Sequence, residues 1–137
     1  MYRLPDGEEI FVIDSHIAWW DASKENQLNI HGEQFINCFY DYHNNLNPKE
    51  YIWNKDEFLK YGSDRIIQDV FVRGYADMAI FQPVLLKEFY KNGFGNLEKN
   101  QQLSERYPNR FVANGTFDPR DGNKGLEELE ALKEEND

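Results

Sequence analysis

Three short runs of apolar and β-branched residues, around Phe11 to His16, Asp77 to Pro83 and Arg110 to Phe117, are set along this chain with helix-forming sequence between them. That spacing constrains the fold more than any other feature. Neighbouring strands joined by long helical connections pair in parallel, with right-handed crossovers, so the pattern predicts an α/β fold. In the first run, strand character over about Ile10 to His16 follows a turn signal at Pro5-Asp6-Gly7. Its apolar stretch reads as a buried strand that empties into a carboxylate and an imidazole. Strict alternation would place Asp14, His16 and Ala18 on one side and Ser15, Ile17 and Trp19 on the other.

Between and after these runs the helical signals are clear. Ser63 reads as an N-cap ahead of Ile66, Ile67, Val70 and Phe71 at helical spacing, with Gly74 as the stop. Val84 to Tyr90 suits a helical turn or two. Asn96 to Tyr107 carries a thin stripe of Leu97, Leu103 and Tyr107 closed by Pro108, and Asp118 to Gly122 reads as a turn. Asn123 to Glu135 predicts a last helix with Leu126, Leu129 and Leu132 on one side.

The length of 137 residues suits one domain. Its net charge of −10 repels phosphate backbones and anionic lipid, which argues against nucleic-acid and membrane partners. The carboxylates between Asp121 and Asp137 read as a solvated helix face. Cys38 is the single cysteine, so no intramolecular disulfide forms. With neither a signal-peptide pattern nor an apolar run of membrane-spanning length, the expected location is cytoplasmic.

Residues 17–62 separate the first run from the first clear helix and show no long period. Asn47-Pro48 suits a helix start, and Lys55 to Tyr61 a short helix. Ten of the chain's twenty-one aromatic residues lie in this segment. A stretch so rich in large rings is expected to be ordered and to fold down as an insertion over the carboxyl ends of the strands.

Phe11-Val12-Ile13-Asp14-Ser15-His16, Asp77-Met78-Ala79-Ile80-Phe81-Gln82-Pro83, and Tyr107-Pro108-Asn109-Arg110-Phe111 followed by Phe117-Asp118-Pro119-Arg120-Asp121-Gly122 together resemble the amidohydrolase superfamily. The likeness is to its branch of metal-dependent hydrolases and decarboxylases related to aminocarboxymuconate semialdehyde decarboxylase. It extends over essentially the whole chain. It implies that residues 1–137 form the first three βα units of a TIM-type (β/α)8 barrel, with the 17–62 insertion over the barrel mouth. The family opens on Asp-x-His-x-His, whose two imidazoles bind a divalent metal, usually zinc. On that basis His16 stands at the first metal ligand and Ala18 where the second histidine belongs, while Asp14 either supports the ligand from behind or is simply a strand-end carboxylate bonded to backbone amides. A catalytic zinc takes about three protein ligands and a water, so the resemblance implies weak zinc binding and no catalysis by the chain alone. Complete relatives would act on a small-molecule substrate.

Other residues carry more than one reading. Trp19, Trp20 and the Phe39-Tyr40-Asp41-Tyr42-His43 cluster either pack the insertion down or line a substrate pocket. Gln82, Asn114 and Asp118 lie in or at the ends of the second and third strands, the edge where barrels build their sites. With Trp19 they are the candidate substrate contacts. Cys38 lies seven residues from His31 and five from His43, spacings that fit no compact ligand motif, so it reads as a buried small hydrophobe. The unpaired edge of the third strand predicts self-association or a complementary chain. The alternative function is a non-catalytic α/β module that folds or assembles with a partner.

Overall fold

The computed structural model describes residues 1–134. In chain order its elements are strands β1 (Tyr2–Arg3), β2 (Glu9–Ile10), β3 (Ile13–Ile17) and β4 (Trp20–Asp21), helix α1 (Ile30–Leu46), helix α2 (Lys55–Leu59), strand β5 (Lys60–Tyr61), helix α3 (Ser63–Ile67), strand β6 (Met78–Phe81), helix α4 (Leu97–Arg106), strand β7 (Phe111–Ala113) and helix α5 (Asn123–Glu134). Single 3-10 turns lie at Lys49–Tyr51 and Pro119–Asp121, and α3 runs on as a π-helical turn over Gln68–Arg73. The last helix begins where the leucine spacing places it. The side chain of Leu132 and residue 135 lie outside what is described.

The three expected strands form a parallel sheet in the order β3-β6-β7. Each new strand adds on the same side of the last, and the chain never reverses across the sheet. Ala79, Phe81 and Phe111 on one face are buried. Phe111 meets Phe71 at 4.9 Å and Tyr107 at 6.2 Å between ring centroids, so the turn after α3 and the end of α4 cover that face. The opposite face is apolar and thinly covered. Ile13 and Val112 are 52% and 39% exposed there, with Met78 and Ile80 half-buried between them.

The first apolar run is therefore not the buried strand that its composition predicts. Phe11 and Ile13 are open to solvent, because β3 is an edge strand of a sheet with helices on one face only. The start also differs. Ile10 pairs with Tyr2 in a hairpin around Gly7, whose φ of +92° suits glycine, and the parallel strand begins only at Ile13. Val12 is held between them by the side chain of Asp77, which accepts its N–H at 2.9 Å.

The insertion contains the longest helix described. Asn29 caps α1, its Oδ1 accepting the N–H of His31 at 2.9 Å, and Ile36 is buried beneath it. A second ladder closes the segment at its neck, where Trp20 pairs with Tyr61 and Asp21 with Lys60 in antiparallel register. Above the neck Trp20 is ringed by Phe39, Trp53, Phe58, Tyr61 and Phe94, with centroids 5.0–6.4 Å away. α1 reaches this cluster by close approach. At Gly32 a Cβ would meet the Phe89 carbonyl oxygen at 2.7 Å, so any side chain would push the helix off residues 89–90.

The sequence signals for the other helices hold with local changes. Gly62 rather than Ser63 occupies the N-cap of α3, and Asn96 caps α4 by accepting the N–H of Lys99 at 3.0 Å. Gly74 does follow the π turn, yet the left-handed residue there is Tyr75, at φ +59°. Residues 84–90 form a turn stabilised by Tyr90 N–H donating to the Leu86 carbonyl at 3.0 Å, and no helix. No helix among the described residues is long and apolar enough to cross a membrane.

Candidate functional site

The carboxyl ends of β3, β6 and β7 point the same way, so the chain leaves the sheet at Ile17, Phe81 and Ala113 along one edge. The expected ligands lie at the β3 end of it. Pairing sets Ile13 against Met78 and Asp14 against Ala79, then shifts so that Ile17 pairs with Phe81. Three residues of β3 thus span two of β6, a bulge that breaks strict alternation. Asp14 and Ile17 consequently share the face of Ala79 and Phe81. The expected side shared by Asp14, His16 and Ala18 does not form.

Asp14 Oδ1 instead accepts the backbone N–H of His16 at 3.1 Å, turning the carboxylate back on its own strand. His16 is exposed. Ala18 presents a methyl and has no donor atom for a metal. Among the described residues no three His, Cys, Asp or Glu side chains gather as a metal site. One imidazole, a carboxylate engaged with backbone and an alanine do not fit a tetrahedral zinc. The donor set present here is too small to hold one.

The candidate substrate contacts separate in the same way. Trp19 is 2% exposed, and its Nε1–H donates to Oδ1 of buried Asn100, so its indole is a core group, closed to a ligand. Gln82 is half-buried, with Nε2 at 3.5 Å from the Ser15 carbonyl, and its backbone N–H donates to Ile17 at 2.8 Å, tying β6 to β3. Asn114 donates its backbone N–H to Phe81 at 3.3 Å. It lines a cleft of about 450 Å³ along the open edge of β7, with Val112, Ala113, Leu129 and Lys133. Asp118 caps the following turn through the N–H of Arg120 at 3.0 Å and pairs with the Arg120 guanidinium, Nε to Oδ1 at 2.9 Å. That pairing pulls its carboxyl down to about 2. Arg120 also pairs with Glu88. A carboxylate committed to a guanidinium is a clamp between two loops, a poor general base.

The cysteine and histidines of the insertion form no site. Cys38 is exposed, against its expected burial. His31 lies near Gln34, with 3.1 Å between Nδ1 and Oε1. His43 stacks on Phe58 at 4.9 Å, and its Nε2 accepts the N–H of Trp53 at 2.9 Å. Burial, seconded by the charge of Arg65, holds its imidazole below the usual range.

One group of polar residues escaped the sequence reading. Trp53, Tyr61, Arg65, Asp69 and Arg73 line a cleft of about 610 Å³ beside α3. The Arg65 guanidinium lies 3.9 Å from the Trp53 ring centroid, and Asp69 accepts from Tyr61 Oη and from Arg73 Nη1, each at 3.1 Å. Burial and the neighbouring Asp69 push the Tyr61 phenol well above its ordinary value. Four-residue spacing of Arg65, Asp69 and Arg73 was the available signal.

No protein-family profile, curated protein or solved structure matches this chain.

Proposed function

We propose that this chain is the first three strand-helix units of an amidohydrolase-type barrel, a metal-dependent hydrolase or decarboxylase of a small organic substrate, inactive by itself. The observation that carries the reading is the sheet. Three parallel strands follow one another in chain order without reversal, helices cover one face, and the other face presents Ile13, Met78, Ile80 and Val112 with little to cover them. A barrel interior has that composition and needs further strands to enclose it. A divalent metal, zinc first, would need its remaining ligands from those further strands. Of this chain's residues His16 alone suits a ligand position, and Ala18 removes the neighbouring one.

The test is the gene around the segment encoding residues 1–137. Further strands with imidazole and carboxylate ligands in the same reading frame, in a product whose stoichiometric zinc binding weakens at least about tenfold in His16→Ala, support the proposal. A frame without them, or zinc binding indifferent to His16, overturns it. In residues 1–137 alone, zinc titrated by calorimetry should bind weakly, and Ala18→His should tighten it only modestly. The second reading, a non-catalytic α/β module joined by a partner chain or a second copy, is favoured by the absence of a three-ligand group among the described residues. It gains if the frame holds no further strands.

A further inference from the structure

Where the π turn after α3 meets the end of α4, at the amino end of β7, they leave a cleft of about 310 Å³ lined by Ile67, Phe71, Val72, Tyr107, Arg110 and Phe111. Its walls are apolar or aromatic except for one guanidinium. Val72 is 59% exposed, so the cleft opens to solvent beside it. The volume is at the small end of those that hold organic ligands, and π-helical turns such as the one that presents Phe71 and Val72 occur often at functional sites.

The arginines show what such a cleft would take. A chain of net charge −10 repels anions in general, so an anion site in it needs positive charge that its own carboxylates leave unclaimed. Of the six arginines, Arg3, Arg65, Arg73 and Arg120 each pair with a carboxylate. The two with no such pair among the described residues, Arg106 and Arg110, flank this cleft. Arg106 lies 5.3 Å from the Tyr107 ring centroid, and Arg110 lies 4.5 Å from that of Phe71. Asp77, next in sequence to the Ala76 carbonyl that Arg110 Nη2 reaches at 3.2 Å, is taken by the Met1 ammonium and the Val12 N–H. That bond to Ala76 uses one of five N–H donors, and a guanidinium stacked on a ring keeps its in-plane N–H edge for a carboxylate. We propose that the cleft binds a small organic acid, with a ring-sized apolar body between Ile67, Phe71 and Tyr107 and its carboxylate on Arg110. The cleft is at the amino end of β7, away from the carboxyl edge that holds His16, so the inference stands or falls independently of the barrel reading.

Titration of the isotope-labelled chain with phenylacetate, phenylethyl alcohol and acetate, followed by amide NMR, separates the apolar body from the charge. Phenylacetate should bind with a Kd of about a millimolar or tighter and shift the amides of Val72, Tyr107 and Phe111. The alcohol, which lacks the charge, and acetate, which lacks the ring, should each bind at least about tenfold more weakly. Arg110→Gln should weaken phenylacetate at least about tenfold and leave the alcohol unchanged, with circular dichroism verifying the fold. Val72→Glu keeps the Arg110 bond to Ala76 and places a carboxylate at the mouth, so it should also weaken phenylacetate about tenfold, and it decides the matter if Arg110→Gln fails to fold. No shift of these amides at about ten times the expected Kd overturns the proposal. So does an alcohol or acetate that binds as tightly as phenylacetate, or phenylacetate binding that every folded variant retains.

Discussion

The insertion and the parallel sheet make opposite use of their apolar residues. In the insertion, which lacked a legible period, Trp20 sits 8% exposed within a shell of five aromatic rings. In the sheet, whose strands were the clearest apolar signal, Ile13 and Val112 stand open on an uncovered face. Hydrophobic sequence thus reports a need for cover, while the neighbouring elements decide whether cover is present. Large rings brought together by a closed neck supply it for one another. A three-stranded sheet with helices on one side cannot.

Truncating a residue at the centre of each region should give very different losses. Trp20→Ala should destabilise the chain by about 3–5 kcal/mol in urea unfolding. Ile13→Ser should stay within about 0.5 kcal/mol, as for other exposed positions. Similar losses from the two would mean that the open face is in fact covered.

A smaller effect is expected where the insertion's root meets α4. Trp19→Phe leaves Asn100 Oδ1 without its donor, beside an Nδ2 that already has no hydrogen-bond partner among the described residues. The cost should be about 1–3 kcal/mol by thermal unfolding, with part recovered in the double variant Trp19→Phe, Asn100→Leu. No recovery would show that the indole acts by packing alone.

Alkaline titration probes the same region more gently. Burial pushes the Tyr90 phenol up to about 12, and its hydroxyl donates to the Gly32 carbonyl at 2.7 Å. The folded chain keeps this proton where the unfolded chain, near pH 10, releases it. The stability that the neutral phenol contributes is thus fully present below about pH 10 and fades as pH rises from there to about 12. Tyr90→Phe should lose about 1 kcal/mol at neutral pH with its hydrogen bond and flatten that alkaline decline. Tyr61, shifted the same way, should maintain the remainder. An unchanged slope would separate Tyr90 from the transition.

The smallest effect belongs to the exposed clamp at the end of β7. Asp118 titrates at about 2 because Arg120 pairs with it, so its contribution is present above the ordinary carboxyl range, near 4, and lost as pH falls from there to about 2. In Arg120→Leu, the Asp118 carboxyl followed by NMR should return towards its ordinary value. A midpoint that stays near 2 would assign the shift to the backbone N–H instead.

Local signals in the sequence determined the three parallel strands, the starts of α4 and α5, and the turn at Asp118, because capping residues, proline and alternation act within a few positions of themselves. α1 was equally present in sequence, with Asn29 as cap and Phe35, Ile36, Phe39, Tyr40 and His43 at helical spacing, but its many polar residues masked the stripe. Of the candidate site, the residue types and their approximate place on strand ends were legible in advance. Their use depends on contacts made across the fold. The bulge after Asp14 depends on how β3 lies against β6, the burial of Trp19 on α4 bringing Asn100 to it, and the exposure of Ile13 on which face the helices cover. Each is a contact between residues more than sixty positions apart or a property of the whole sheet, and no short stretch of sequence contains it.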